Sequence, residues 1–139
     1  MRRLATALFA ASIAAVGSSG AGQAEISAAQ RVIEAQLQAF QADDGARAYS
    51  YAAPGVKRIF PSVDAFMSMV ESGYLPVRRP KRYSFGKAAE PSTTSIIQQV
   101  MIVGPDGRDY EAVYTLELQP DGIYRITGVS LRAANSLST

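Results

Sequence analysis

The sequence predicts an α+β fold, in which helices come first and a curved antiparallel sheet of about four strands follows them. In the first half of the chain, apolar residues recur at intervals of three and four, which is the period of an amphipathic helix. In the second half, apolar and polar residues alternate as in half-buried strands, and GPDG (104–107) and QPDG (119–122) mark tight turns. Three N-terminal helices before a meander of strands favour helices packed on one face of the sheet.

The first 24 residues are typical of a cleaved secretory signal peptide. Arg2 and Arg3 provide a basic start, residues 4–16 form an uncharged and mostly apolar run, and Gly22-Gln23-Ala24 has the small-x-small form that a signal peptidase accepts. A membrane span needs about 20 apolar residues, so this run is too short to anchor the chain. We therefore expect one mature domain over residues 25–139 that is periplasmic or secreted, with no membrane span.

Charge and composition exclude several classes of function. The chain has 14 basic and 12 acidic residues, and loss of Arg2 and Arg3 with the signal peptide leaves a neutral domain. Nucleic acid is therefore not an expected partner, because its binding needs a broad cationic surface. The chain has no cysteine and no histidine, which removes the usual zinc ligands and the Ser-His-Asp and Cys-His nucleophiles. We expect no metal and no cofactor, and Asp, Glu, Lys and Tyr remain for acid–base chemistry.

The first helix is predicted at about residues 28–42. A capping box formed by Ser27 and by Gln30 three residues later is expected to begin it. An apolar stripe at helical spacing follows, formed by Ile26, Ala29, Ile33, Leu37 and Phe40.

Two shorter helices are expected next. The second carries Ala46, Tyr49 and Ala53 on one face and ends before Pro54, because the residue before a proline resists helical geometry. The segment GVKRIFP is expected to be a connector without regular structure. The third helix is expected to begin after the N-cap residue Ser62 and to end with Gly73 at the C′ position. Its apolar stripe is formed by Val63, Phe66, Met67 and Val70.

Four strands are predicted at about residues 81–87, 95–103, 110–118 and 122–131, and Gly128 is expected to mark a bulge. The third strand has the clearest alternation. Its inward-facing residues are expected to be Tyr110, Ala112, Tyr114, Leu116 and Leu118.

Two adjacent carboxylates, Asp43 and Asp44, lie between the first and second helices. They could act as a general base, or they could cap the start of the second helix, where an aspartate accepts hydrogen bonds from free N–H groups and its charge suits the helix dipole. A catalytic carboxylate needs burial to raise its pKa, whereas this pair lies beside Gly45 in an expected turn. Capping is therefore the preferred interpretation.

Several segments resemble known families. The segments VIEAQLQAFQADDGARAYSYAAP, FMSMVESGY and GIYRITGVSL together resemble the NTF2-like superfamily. More closely, QLQAFQADD, YAAPGVKRIFP, FMSMVESGYLPV and GPDG…YTLELQPDGIYRITGV resemble a bacterial family of small exported proteins, domain-of-unknown-function family 4864, over about residues 26–131. The resemblance implies that one long and two shorter helices close over a bent sheet and leave a cone-shaped pocket. Enzymes of the superfamily usually carry His or Asp in this cone, whereas here His is absent and the strand carboxylates are expected to face outward.

Two sets of residues are candidate binding sites. The first set would form an aromatic pocket for a small apolar ligand, with ordinary core packing as the alternative; it comprises Tyr49, Phe60, Phe66, Met69 and Tyr114. The second set would bind an anion or an acidic partner, with a solvated edge strand as the alternative; it comprises Arg78, Arg79, Lys81 and Arg82.

The function predicted from these observations is that of an exported, non-catalytic binding or accessory domain, monomeric or homodimeric. It would hold a small hydrophobic ligand or a protein partner. The alternative is a cofactor-free isomerase, dehydratase or cyclase that uses Asp and Tyr in the cone. One feature separates the enzyme from the non-catalytic binding domain: the enzyme requires an acid buried in the cone near a tyrosine, and the binding domain does not.

Overall fold

The computed structural model describes residues 17–134, and the predicted α+β fold is confirmed. Residues 1–16 of the predicted signal peptide lie outside this range. Helices pack on one face of a four-stranded antiparallel sheet, whose strands are in the order β1-β2-β3-β4. The elements are α1 (Gly17–Gln41), α2 (Gly45–Ser50), α3 (Pro54–Ile59), α4 (Val63–Gly73), α5 (Leu75–Arg78), β1 (Arg82–Ser92), β2 (Ser95–Val103), β3 (Asp109–Leu118) and β4 (Tyr124–Ala133).

The first helix begins earlier than predicted. It starts at Gly17 and ends at Gln41, so the capping box at Ser27 and Gln30 is wrong, and both residues lie inside the helix. The segment before Ser27 contains small and polar residues but no proline, so nothing in it breaks the helical hydrogen bonding. The predicted stripe does face the core, since Ala29, Ile33, Leu37 and Phe40 are buried.

Two helices were not predicted from the sequence. The connector at residues 55–61 forms most of α3, which begins with Pro54 at its first position, where the missing N–H of proline costs nothing. The four-residue helix α5 follows α4 after a single residue, Tyr74. The predicted cap of α4 is confirmed, because Ser62 Oγ accepts from the Ala65 N–H at 3.0 Å. The predicted C′ role of Gly73 is wrong, because Gly73 is the last helical residue and Tyr74 is the C-cap.

The sheet follows the prediction closely. Both Pro-Asp-Gly turns are confirmed, with φ of 79° at Gly107 and 82° at Gly122, values that favour glycine. The bulge is also confirmed: Thr115 pairs with Gly128 but Leu116 pairs with Ile126, which leaves Thr127 as the extra residue. Strand β1 extends to Ser92, beyond the predicted end at residue 87, because it continues its pairing with β2 through a second irregularity.

The core lies between the helices and the inner face of the sheet. The inner face carries Ile96, Val100, Ile102, Ala112, Tyr114, Leu116, Tyr124 and Ile126, all buried. A parallel bridge fastens the α2–α3 segment to β4 beside the bulge: Ala53 N donates to Ile126 O at 2.8 Å, and Ile126 N donates to Tyr51 O at 2.9 Å. Within residues 17–134, no helix is both long and apolar enough to cross a membrane.

Candidate functional site

A cavity of about 210 Å³ lies between α1, α3, α4 and β4. Its wall is mainly aromatic and aliphatic, with Phe40, Phe60, Phe66, Met69, Val70 and Val129 among its residues. Ile59 and Thr127 also line it and are exposed, so the cavity reaches solvent beside them. The bulge at Thr127 lies in the part of β4 that forms this wall.

Three polar residues line the cavity, and the side chain of each is hydrogen-bonded to the backbone. Gln36, only 3% exposed, donates from Nε2 to Ala48 O at 3.1 Å. The Tyr74 hydroxyl donates to Val129 O at 3.2 Å, and the Thr127 hydroxyl donates to Thr115 O at 3.0 Å. None of the lining residues is Asp, Glu, Lys or Arg. The site therefore offers apolar contact and a few fixed dipoles, but no charge.

The structure brings three of the five predicted pocket residues to this cavity, namely Phe60, Phe66 and Met69. Tyr49 lies behind the wall, where its ring is tilted against Phe66 at 5.2 Å and its hydroxyl donates to Phe60 O at 2.6 Å. Tyr49 thus positions two cavity residues without lining the cavity itself.

Tyr114 lies elsewhere, in the middle of the inner face of β3, and is fully buried. Burial raises the pKa of its hydroxyl, which has no hydrogen-bond partner among the described residues. Alternation along the strand predicted its direction correctly, but the cavity lies to one side, against β4. Tyr114 is therefore a core residue.

The two adjacent aspartates have different roles. Asp44 is the N-cap of α2, since its Oδ1 accepts from the Arg47 N–H at 3.1 Å, as predicted. Asp43 does not cap the helix. It has a positive φ of 58° and forms ion pairs with Arg78, at 3.0 Å, and with Arg79. Hydrogen bonds from Arg78 and Arg79 lower the pKa of Asp43.

The four basic residues predicted to bind an anion do not form one open surface. Arg78 is 7% exposed and contacts Phe40 O and Asp43, and its NH2 also reaches Glu71 at 3.5 Å. Arg78 and Arg79 both donate to the carbonyl of Phe40, at the carboxyl end of α1. Lys81 and Arg82 are exposed where edge strand β1 begins. The first two therefore hold helices together, and the last two fit the solvated-edge alternative.

The carboxylate nearest the centre of the sheet faces away from the cavity. Glu111, on the outer face of β3, accepts hydrogen bonds from Gln99 and from Arg132 Nε, the latter at 2.6 Å. These bonds lower the pKa of Glu111. Its outward direction agrees with the sequence prediction. Across residues 17–134, no group of three or more acidic side chains is placed to hold a metal ion.

These features define a class: a small α+β domain whose helices close over an antiparallel sheet around an uncharged cavity, an arrangement consistent with an NTF2-like cone. The chain belongs to the family described as Domain of unknown function (DUF4864), whose model matches residues 23–139. The resemblance to this domain-of-unknown-function family seen in the sequence is thereby confirmed.

One similar structure is the crystal structure of a protein from Kribbella flavida DSM 17836. The two chains are 17% identical, with a TM-score of 0.47, and the similarity covers 76% of this chain and 86% of the other. A search of curated proteins found no significant match.

Proposed function

We propose that this domain is a binding module that holds a small, uncharged and mainly apolar ligand in the cavity between α1, α3, α4 and β4. The observation that carries the proposal is a cavity with a largely apolar lining that reaches solvent and has no charged side chain on its wall. Concave sites with mostly apolar walls and a few fixed polar groups are typical of small-molecule binding.

The size of the cavity limits the ligand. An apolar cavity of roughly 150 Å³ accepts benzene, whereas sites for drug-sized molecules are about 300–1,000 Å³. At about 210 Å³, this cavity suits a molecule of one ring or a short branched chain. Binding rather than catalysis is favoured because general acid–base catalysis needs an ionisable group within reach of the substrate. Tyr74 is the one cavity residue that carries such a group, and its hydroxyl proton already bonds to Val129 O.

Filling the cavity tests this proposal. Val129 lies on the inner side of β4 and lines the cavity, so the added ring in Val129→Phe would occupy the space that the ligand needs. We expect the wild-type protein to bind a small environment-sensitive fluorophore saturably and Val129→Phe to weaken that binding at least tenfold. Fluorescence titration of both proteins measures the difference.

A matched control is available across the sheet. Val113 is half-buried like Val129, but it lies on the outer face of β3 and lines no part of the cavity. Val113→Phe should therefore bind the fluorophore as the wild type does. Equal loss of binding in both variants, or wild-type affinity in folded Val129→Phe, would contradict a site in this cavity.

We also propose that the chain is exported and cleaved after Ala24. The basic start, the apolar run and the small-x-small site support this. The described core residues of α1 begin at Ala29, so removal of residues 1–24 would leave the buried face of the helix complete. We expect intact-mass analysis of the periplasmic fraction to find a chain that begins at Glu25. A chain that keeps residues 1–24, or that stays in the cytoplasm, would contradict export.

A further inference from the structure

The polar groups of the cavity offer a ligand more hydrogen-bond acceptors than donors. The Tyr74 hydroxyl has one proton, which it donates to Val129 O. The Thr127 hydroxyl is paired with Thr115 instead, donating to Thr115 O and lying 2.9 Å from Thr115 Oγ1, on the outer face of β3. A hydroxyl that has donated its proton keeps lone pairs and can still accept. Towards a ligand, the Tyr74 hydroxyl therefore acts as an acceptor.

Gln36 adds a more deeply buried acceptor. It is 3% exposed, and its Nε2 donates to Ala48 O at 3.1 Å, a partner that fixes which end of the amide is nitrogen. The amide oxygen Oε1 is left to face other partners, together with the second N–H of Nε2. No described residue donates to Oε1, and Oε1 is not among the fully buried atoms that lack a partner, so it keeps access to solvent on the side of the cavity that Gln36 lines. A ligand that displaces water from Oε1 without supplying a donor loses a hydrogen bond, so a ligand with a donor is favoured.

The lack of cationic side chains in the cavity disfavours anionic ligands. Because no cationic side chain lines the cavity, a carboxylate or phosphate placed there would lose its hydration without gaining a counter-ion. Fatty acids and other anions are therefore disfavoured in spite of the apolar wall.

We propose that the ligand is a neutral, ring-sized molecule that carries a hydroxyl, a phenol or cyclic alcohol, and that the hydroxyl donates to Gln36 Oε1 while the ring packs among Phe40, Phe60 and Phe66. This inference rests on the proposed binding function and assigns its ligand class.

Three probes of similar shape separate the alternatives: phenol, toluene and benzoate, titrated into the purified protein by ligand-observed NMR. In a cavity without a partner for the hydroxyl, phenol would bind roughly tenfold or more weakly than toluene, because a buried hydroxyl without a hydrogen bond is costly. We expect phenol to bind at least as tightly as toluene and benzoate to bind at least a hundredfold more weakly than either.

A variant identifies the acceptor. Gln36→Met keeps an unbranched side chain of similar length but removes the amide, and we expect it to weaken phenol binding about tenfold while toluene binding changes less than about threefold. Tyr51→Phe is the control, since its hydroxyl accepts from Arg47 Nε outside the cavity, and it should leave all three probes unchanged. A second measurement needs no variant: the side-chain carbonyl carbon of Gln36 should shift downfield in NMR with phenol and not with toluene.

The outcomes distinguish this inference from the proposed function. Toluene bound tenfold more tightly than phenol, or phenol binding unaffected by Gln36→Met with no change at the Gln36 carbonyl, would overturn the hydroxyl-bearing ligand class while the cavity remained a binding site. Failure of toluene and phenol alike to bind would overturn both.

Discussion

Replacing Phe66 by alanine is expected to lower the free energy of unfolding by about 3–5 kcal/mol, which is the cost of removing a buried aromatic ring. Phe66 is 5% exposed, and its ring is stacked on Phe40 at 6.3 Å and tilted against Tyr49 at 5.2 Å. It also lines the cavity, so the space left by the ring would join an existing void that its neighbours do not fill. Urea denaturation of the variant and the wild type measures the change.

The same substitution at Phe85 provides a control. Phe85 is half-buried on edge strand β1 and contacts Tyr83 edge-on at 6.0 Å, so Phe85→Ala should cost less, about 1–2 kcal/mol. In Phe66→Ala, a saturating small aromatic ligand should restore part of the lost stability, because a ligand that binds only the folded state stabilises it. Equal costs at the two positions would contradict a larger contribution to stability from the buried ring of Phe66.

Replacing Arg78 by alanine is expected to lower the free energy of unfolding by about 3 kcal/mol. The guanidinium donates to Phe40 O at the carboxyl end of α1 and to Asp43, and the side-chain stem is buried. Alanine removes both the packing of the stem and the charged hydrogen bonds. Arg78→Met keeps the packing of an apolar stem and loses only the charged hydrogen bonds, so it should cost about half as much. Stability equal to the wild type in Arg78→Met would show that the ion pairs contribute nothing.

Measuring the free energy of unfolding as a function of pH tests the contribution of the Asp43 charge, which pairs with Arg78. The pKa of Asp43 is lowered in the folded state by hydrogen bonds from Arg78 and Arg79, so its contribution to stability is present above the unfolded pKa of about 3.9. This contribution is lost as the pH falls through the lower folded value. Asp43→Asn suits the comparison because asparagine also tolerates the positive φ of 58°. The variant should be less stable than the wild type at pH 7, and the difference should disappear in strong acid.

The fold was predictable where the sequence signals were local. Pro-Asp-Gly turns, the alternation along β3 and the apolar stripe of α1 each act over a few residues, and all three gave the correct element. Helices α3 and α5 were missed because they are short and because, unlike α2, neither has a polar N-cap side chain to mark its start. Pro54, at the first position of α3, was a usable signal that was interpreted only as the end of the preceding helix.

The site was predictable only in part, because a cavity depends on how elements pack. Phe60, Phe66 and Met69 could be inferred as inward-facing aromatic and apolar residues, and they line the cavity. Gln36 lies three residues after Ile33 and four before Phe40, so its spacing is that of the buried stripe, but an apolar pattern does not count a polar side chain. Arg78 looked like part of a basic run, and its pairing with Asp43 across 35 positions leaves no local trace in the sequence.

The bridge between the α2–α3 segment and β4 can form only late in synthesis of the chain. The ribosome completes all five helices before it reaches Ile126, the residue that holds Tyr51 and Ala53 in place. Until β4 is synthesised, Phe60 and Phe66 face a wall that does not yet exist, and they remain open to chaperones or to other nascent chains. An mRNA truncated before codon 126 would therefore yield an aggregation-prone and protease-sensitive product rather than a smaller folded domain.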